Sequence, residues 1–193
     1  ELFEEKLDLL TRLLRSQPVT WAGRFRSQLV NQRVNPPLPE GHLPVWVGVG
    51  GSPESVMRAA RFNLPLMLAV IGGRPERFAP YIELYKGALT EYQRPELPVG
   101  MHTLGYVAAT DDQAHATQWP AYEAAFGQVA RERGWQMPTY EHYLTEVQHG
   151  SLFVGSPETV ATRIAAIIRA PGPSRSHPHY AVGATPPQPR MTH

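Results

Sequence analysis

The feature of this sequence that most constrains its fold is a short apolar run that ends in two glycines and leads directly into a helix start. Residues 45–49 form the run, and their length and β-prone content are typical of a strand buried on both faces. Gly50 and Gly51 end the strand. Residues 52–54, Ser-Pro-Glu, then supply an N-cap, a proline at the first helical position and an acidic first turn. The segment therefore predicts a strand, a tight turn and a helix N-terminus.

A helix N-terminus that follows a glycine turn can bind a phosphate, because its first N–H groups are exposed and the helix dipole attracts anions. The alternative is an ordinary strand–helix connection without a ligand, in which Glu54 already complements the dipole. Two nucleotide-binding motifs are excluded. Pro53 stands where a dinucleotide fingerprint begun at Gly48 requires glycine, and the Gly-Lys-Ser/Thr of a P-loop is missing.

The composition argues against several kinds of partner and excludes cysteine chemistry. The chain has 193 residues, a formal net charge of +1 and no cysteine. Its basic residues are scattered, which argues against a nucleic-acid partner or a membrane-surface partner. The longest apolar run, residues 64–71, is too short to span a bilayer. The lack of cysteine excludes disulfides and thiol nucleophiles and fits a cytoplasmic location, which we take as the expectation.

The same strand–turn–helix order recurs along the chain. Residues 64–71 form a second apolar run, which also ends in paired glycines, Gly72 and Gly73, and a third run covers residues 101–109. Strands that alternate with long helices predict an α/β fold with a parallel sheet. An open doubly wound sheet and part of an eight-stranded barrel both fit, since a full barrel typically needs about 250 residues. In either fold the glycine turns lie at the carboxyl edge, where ligands bind.

Several other candidate residues receive structural interpretations. A second Ser-Pro-Glu, at residues 156–158, follows one glycine and a short apolar lead-in, and we interpret it as a structural cap. Asp111 and Asp112 are interpreted as complementing the dipole of their own helix. His42 is expected to be solvated and His102 to pack in the core. We assign no metal site, because the histidines near residue 146 lack the spacing of a helical zinc site.

The sequence changes character at Pro171. From there proline, histidine, serine and arginine dominate, without helical or strand periodicity. Residues 171–193 are therefore predicted to be a disordered, proline-rich tail, and residues 1–170 to form one α/β domain. The first helix begins without a capping residue, so the chain is expected to lack a natural N-terminal portion.

Several motifs, taken in their order along the chain, resemble those of a known protein family. They are Trp-Ala-Gly-Arg-Phe at residues 21–25, the segment 43–55, Leu-Pro-Leu-Met at 64–67 leading to Ile-Gly-Gly at 71–73, Gly-Tyr-Val-Ala at 105–108, and Phe-Val-Gly-Ser-Pro-Glu at 153–158. This ordered set is similar to the bacterial luciferase-like monooxygenase family over residues 1–170. The resemblance implies a (β/α)8 TIM barrel of which this chain supplies only part, with a final strand that the tail is not expected to provide.

The resemblance also implies a cofactor and its ligands. The family uses reduced flavin mononucleotide (FMN) or, in some branches, a deazaflavin coenzyme. Gly50, Gly51 and Ser52 would approach the phosphate through backbone and hydroxyl groups, and Gly72 and Gly73 would border the same pocket. No residue is assigned as the catalytic acid or base, because the resemblance places several ring-contacting groups in barrel strands that this chain lacks.

The implied function is a flavin-dependent oxidoreductase acting on paired donors, with incorporation or reduction of molecular oxygen. The implied partners are a small organic substrate, oxygen and a separate flavin reductase. One alternative is a deazaflavin-dependent reductase or dehydrogenase on the same fold, and another is a truncated, non-catalytic remnant. A partial barrel leaves strand edges and apolar faces uncovered, so homo-oligomers or self-association are expected.

Overall fold

The fold is a parallel β-sheet with helices between its strands, preceded by a helix and a small antiparallel ribbon. A computed structural model describes residues 1–15, 17–37, 43–169 and 175–179. The elements are α1 (Leu2–Leu13), β1 (Val19–Trp21), β2 (Leu29–Gln32), β3 (Val47–Val49), α2 (Pro53–Arg61), β4 (Leu66–Val70), a 3-10 turn (Pro75–Phe78), α3 (Ala79–Glu91), β5 (Val99–Val107), α4 (Asp111–Arg133), α5 (Tyr140–Gln148), β6 (Leu152–Gly155), α6 (Pro157–Arg169) and β7 (Arg175–His179).

The sheet grows in the order in which its strands occur in the chain. β3 pairs parallel with β4, and β4 pairs parallel with β5. The far side of β5 pairs with β7 along its first half and with β6 along its second half, both in parallel. Sequence-ordered parallel strands with helical crossovers are the arrangement of α/β barrels, and the α/β prediction is confirmed.

One face of the sheet forms the main core. Side chains alternate along β3 and β4, so that every second residue packs against the helices. The buried members of this face are Val47, Val49, Leu66, Leu68, Val70, Val99 and Met101. Gly48 lies between two buried valines and is itself exposed. The expectation that this strand is buried on both faces is therefore not met within the described residues, because its second face carries only a glycine hydrogen at this point.

A second, smaller core lies beside the second half of β5 and along β6. Tyr106 and Leu152 from these strands pack there against α4 and α5. Thr110 caps α4 by accepting a hydrogen bond from the Gln113 N–H, and the helix ends at Gly134, which has φ +67°. Threonine is a favoured residue at the N-cap of a helix, and glycine is favoured just after its C-terminus. Both helices therefore pack against the second half of β5 and against β6.

The structure corrects one expectation about the tail. Residues 175–179 form β7, which pairs with β5 from Gly100 opposite Arg175 to Leu104 opposite His179. β7 thus adds a strand to the sheet beside β5, so the prediction of disorder is wrong for these five residues. An open strand edge pairs through backbone groups whatever the side chains, so composition gave no signal. The rest of the predicted tail lies outside the described residues.

Candidate functional site

The two glycine turns lie at the same edge of the sheet. Gly50 and Gly51 follow β3, Gly72 and Gly73 follow β4, and these strands are parallel neighbours. Gly51 has φ +129° and Gly73 has φ +71°, conformations that favour glycine. At Gly50 and at Gly72 an added Cβ would meet no atom within 4 Å. The structure therefore brings the predicted cofactor-binding turns together at the carboxyl edge, with open space beside Gly50 and Gly72.

Ser52 is the N-cap of α2 and is already engaged in local hydrogen bonds. Its Oγ accepts from the Ser55 N–H at 3.3 Å and donates to Glu54 Oε2 at 2.7 Å. The hydrogen bond from Ser52 is the main reason that the pKa of the Glu54 carboxyl lies below its ordinary value. The hydroxyl of Tyr81 donates to the Gly51 carbonyl at 2.9 Å and fixes the turn from the side of α3. The turn is therefore well ordered by its own neighbours.

The Ser55 hydroxyl and the Arg58 guanidinium lie in the first turns of α2. The sequence interpretation missed both groups. Arg58 Nη1 donates to Ser55 Oγ at 3.0 Å, and Arg58 Nε donates to Glu4 Oε1 at 3.3 Å. Glu4 also accepts from Arg61, and hydrogen bonds from Arg61 and then Arg58 lower the pKa of its carboxyl. The spacing of Ser55 and Arg58, three residues apart on one helix, could have indicated this pair.

The second Ser-Pro-Glu helix start holds an anionic group from elsewhere in the chain. The Ser156 N–H donates to Asp111 Oδ1 at 2.5 Å, and Thr159 Oγ1 donates to Asp111 Oδ2 at 3.1 Å. These bonds, the first above all, lower the pKa of the Asp111 carboxyl. Asp111 lies in the first turn of α4 behind the Thr110 cap, as predicted, and its carboxylate additionally bonds to the start of α6, which the sequence did not predict. The interpretation of this second copy as a structural cap is confirmed.

The Gly73 turn is tied to α5 by a carboxylate. The Gly73 N–H donates to Glu146 Oε1 at 3.2 Å and Oε2 at 3.1 Å. Glu146 Oε2 also accepts from the N–H of Ser151 at 3.0 Å and from its hydroxyl at 3.1 Å. Glu146 was not a predicted site residue. An anion that binds at this turn would meet the Gly73 N–H, which already donates a hydrogen bond to the Glu146 carboxylate.

A cavity of about 470 Å³ lies beside the Gly73 turn, and we call it the α4–α5 cavity. It is lined by Ile71, Gly72, Gly73, Tyr122, Phe126, Ala130, residues 135–139, His142, Glu146, Ser151 and Leu152. Gly50, Gly51 and Ser52 are not part of this lining. Burial raises the pKa of Tyr122 to about 12, so its phenol stays neutral. The two predicted turns thus share an edge, while only the second opens into this cavity.

Other candidate residues have simpler surroundings. His115 Nδ1 and the Tyr143 hydroxyl lie 3.1 Å apart in a hydrogen bond. His102 lies on β5, half-buried, and His42 lies outside the described residues. Among the residues that the structure describes, no cluster of three or more histidine, aspartate or glutamate side chains could hold a metal ion. None of the described helices is long and apolar enough to cross a bilayer.

Comparison with known proteins places this geometry in a family. The family model for luciferase-like monooxygenases matches residues 1–175. No curated protein matches the chain. Among solved structures, monooxygenase RslO1 from Streptomyces bottropensis is similar with a TM-score of 0.77 and 22% identity, over 95% of this chain and 55% of that one.

Two further similar structures carry different cofactors in their names. The oxygenating constituent of 3,6-diketocamphane monooxygenase from Pseudomonas putida, in complex with FMN, has a TM-score of 0.64 and 18% identity, over 91% of this chain and 55% of that one. The coenzyme F420-dependent tetrahydromethanopterin reductase from Methanopyrus kandleri has a TM-score of 0.63 and 14% identity, over 90% of this chain and 56% of that one.

The TM-scores show a shared fold with these three structures, and the identities are too low to show more. The chain spans 55–56% of the length of the three structures. The parallel sheet in chain order, the helices between its strands and this coverage confirm the prediction of a partial TIM barrel. With a family model that matches residues 1–175 of its 193 residues, the chain belongs to the luciferase-like monooxygenase family.

Proposed function

We propose that this chain supplies the phosphate-binding edge of a flavin-dependent oxidoreductase of the luciferase-like monooxygenase type. In this proposal Gly50, Gly51 and Ser52 approach the phosphate of FMN, and Gly72 and Gly73 border the same site. Family membership supports the reaction class, and the open space at the two turns supports the location. A structure of similar fold that carries FMN in its name is consistent with the choice of cofactor.

The observation that carries the proposal is the binding of a carboxylate at a second helix start within this chain. The start of α6 has the same local sequence as the start of α2, and it binds the carboxylate of Asp111. Its donors are the Ser156 N–H and the Thr159 hydroxyl, which correspond in position to the Ser52 N–H and the Ser55 hydroxyl. This geometry therefore accommodates an anionic oxygen when one is presented to it.

The start of α2 has an additional cation. Arg58 donates to Ser55 Oγ at 3.0 Å, and a hydroxyl that accepts one hydrogen bond still has a hydrogen to donate. We propose that the Ser55 hydroxyl donates to a phosphate oxygen while Arg58 neutralises part of the phosphate charge. Charge-assisted hydrogen bonds of this kind are stronger than neutral ones.

The acidic residue in the first turn does not argue against this assignment. Glu54 is exposed and bonded to Ser52, and its charge opposes a nearby phosphate. Glu158 occupies the corresponding position at the start of α6, where the carboxylate of Asp111 binds nonetheless. A solvent-exposed glutamate is screened by water and salt, so we expect Glu54 to weaken anion binding without preventing it.

The chemistry assigned to the chain is mainly binding and exclusion of water. When bound, reduced FMN supplies the two electrons with which one atom of molecular oxygen enters an organic substrate and the other leaves as water. The residues of this chain would hold the phosphate and the turn beside it. Because the chain spans about 55% of its structural relatives, we propose that the remaining barrel strands hold the flavin ring, in a cytoplasmic assembly served by a separate reductase.

A deazaflavin coenzyme is the second candidate. Structures of similar fold include coenzyme F420-dependent enzymes, among them a secondary alcohol dehydrogenase with an F420–acetone adduct. The proposed phosphate edge suits either coenzyme, because it contacts the phosphate and leaves the ring to other residues. With a deazaflavin the reaction would be a reduction or dehydrogenation without oxygen.

The test is a titration of the purified chain with FMN, followed by quenching of flavin fluorescence. Arg58→Gln keeps hydrogen-bond donors but removes the charge, and we expect it to weaken binding about tenfold. Arg61→Gln is the matched control, because Arg61 pairs with the same Glu4, whereas the hydrogen bond to Ser55 comes from Arg58. We expect Arg61→Gln to bind like the native chain. Absence of saturable binding to the folded native chain, or equal affinity in Arg58→Gln, would defeat the proposal.

A further inference from the structure

The α4–α5 cavity has the size and position of a small-molecule site. It measures about 470 Å³ and lies between the Gly72–Gly73 turn and the α4–α5 connection, residues 135–139. Ligand pockets typically have volumes of about 300–1,000 Å³ and lie at the carboxyl edge of α/β sheets. The cavity shares the Gly73 turn with the predicted cofactor site, although it is not lined by Ser52 or its neighbours.

The walls of the cavity expose apolar side chains on both sides. Ile71 is 64% exposed on the sheet side, and Trp135 and Met137 are 58% and 48% exposed on the helix side. The rings of Tyr122 and Phe126 stack at a centroid distance of 4.3 Å in the wall formed by α4. Apolar residues left exposed around one concavity indicate a site that buries an apolar ligand.

The polar groups of the cavity disfavour an anion. Glu146 is the charged carboxylate in its wall, and no lysine or arginine is found among the described residues that line it. Two guanidinium groups lie near this lining: that of Arg133 packs over the Trp135 ring at 5.1 Å, and Arg77 Nη1 would lie 3.1 Å from a Cβ added to Gly73. Glu146 is satisfied by three donors from Gly73 and Ser151. The side chains of Gln136, His142, Tyr122 and Thr139 also line the cavity and can hydrogen-bond a neutral ligand.

We propose that the α4–α5 cavity binds an uncharged aromatic molecule with a hydrogen-bonding substituent, and that such molecules are the substrate class of this oxidoreductase. The assignment as substrate rests on the proposed flavin-dependent function, whereas the binding itself rests on the cavity. The flat rings of Tyr122, Phe126 and Trp135 suit an aromatic partner through offset or edge contacts. The shared Gly72–Gly73 turn puts the bound molecule beside the proposed cofactor edge.

The test uses naphthol as the probe, with binding to the full chain followed by tryptophan fluorescence and by calorimetry. Naphthoate is the matched probe, because it has the same rings and a negative charge. We expect saturable binding of naphthol and at least roughly tenfold weaker binding of naphthoate, because of repulsion by Glu146 and the loss of solvation. No saturable naphthol binding, or equal binding of the two probes, overturns the proposal.

Two variants locate the binding. Gly72→Leu places a side chain in the cavity at a position where an added Cβ meets no atom within 4 Å, and we expect it to weaken naphthol binding roughly tenfold by filling space. Trp135→Ala removes one ring and should weaken binding roughly fivefold. Phe25→Ala is the control, since Phe25 is an exposed aromatic residue outside the cavity. Naphthol binding that is unchanged in Gly72→Leu and Trp135→Ala contradicts the location.

A crossed measurement separates this inference from the proposed function. We expect Trp135→Ala to lose naphthol affinity and keep FMN affinity, whereas Arg58→Gln should lose FMN affinity and keep naphthol affinity. If the native chain binds naphthol but not FMN, the cavity is a binding site and the assignment of its ligand as a flavoenzyme substrate is wrong. If it binds FMN but not naphthol, the proposed function stands and the cavity proposal is wrong.

Discussion

The start of α2 and the start of α6 share the residues Gly-Ser-Pro-Glu but differ in what lies above them. At α6, Asp111 bonds to Ser156 and Thr159, and an added Cβ on Gly155 would lie 2.7 Å from Asp111 Oδ1. At α2, an added Cβ on Gly51 would have the Tyr81 hydroxyl as its neighbour at 3.7 Å. The same local sequence therefore makes a closed cap at α6 and an open turn at α2, which we propose as the anion site, and distant residues decide between the two.

The largest expected effect is a difference in stability between alanine variants of Gly155 and Gly51. Gly155 has φ +155° and Gly51 has φ +129°, so alanine is strained at both positions. Gly155→Ala additionally crowds Asp111 and Thr159, and we expect it to lower the free energy of unfolding by about 3 kcal/mol, against about 1 kcal/mol for Gly51→Ala. Urea denaturation of both variants measures the difference. Equal losses would show that the start of α6 is no more closed than the start of α2.

The next effect is a pH dependence. The pKa of Asp111 is lowered in the folded protein, mainly by the hydrogen bond from the Ser156 N–H. Its contribution to stability is therefore present above the ordinary carboxyl pKa and is lost as the pH falls through the lowered value. We expect Asp111→Asn to lower the melting temperature at neutral pH and to lose stability less steeply than the native chain in acid.

Asp112→Asn is the matched control for this measurement, because Asp112 is the adjacent acidic residue in the first turn of α4. Thermal unfolding at a series of pH values would be recorded for both variants and the native chain. We expect Asp112→Asn to follow the native profile. An Asp111→Asn profile that is parallel to the native one would mean that the carboxylate does not bond to the start of α6 in solution.

The smallest expected effect concerns the glutamates that follow the prolines. Glu54 is exposed beside the proposed phosphate site, whereas Glu158 lies at the closed start of α6. We expect Glu54→Gln to tighten FMN binding about twofold at low salt, with less effect at high salt. Glu158→Gln should leave FMN affinity unchanged. A similar change in both variants would indicate a general effect of net charge and not a phosphate at α2.

Local patterns predicted the parts of the molecule that depend on neighbouring residues. The order of strands and helices, the caps at Ser52 and Thr110, and the stop at Gly134 follow from residues within a few positions of each other. The partial barrel was predicted from the same alternation together with the family resemblance. Each of these features is specified by the chain over one or two turns.

Most of the features that sequence reasoning missed depend on distant partners, whereas the missed Ser55–Arg58 pair lies within one helix. Asp111 lies 45 positions before Ser156, and Glu146 lies 73 positions after Gly73. Nothing near Asp111 distinguishes it from Asp112 as the residue that reaches α6. The pairing of β7 with β5 is a backbone ladder, which side-chain composition does not encode. Such contacts become visible only when the sheet has brought the segments together.

We propose that the start of α2 is accessible to an anion, whereas that of α6 is closed by Asp111. The most direct measurement is an NMR titration of the isotopically labelled chain with FMN, following the backbone amides of Ser52 and Ser156 and repeated with inorganic phosphate. We expect the Ser52 and Gly51 amide resonances to shift and saturate with FMN while that of Ser156 stays in place. Unchanged Ser52 resonances, or equal shifts at Ser52 and Ser156, would contradict the account.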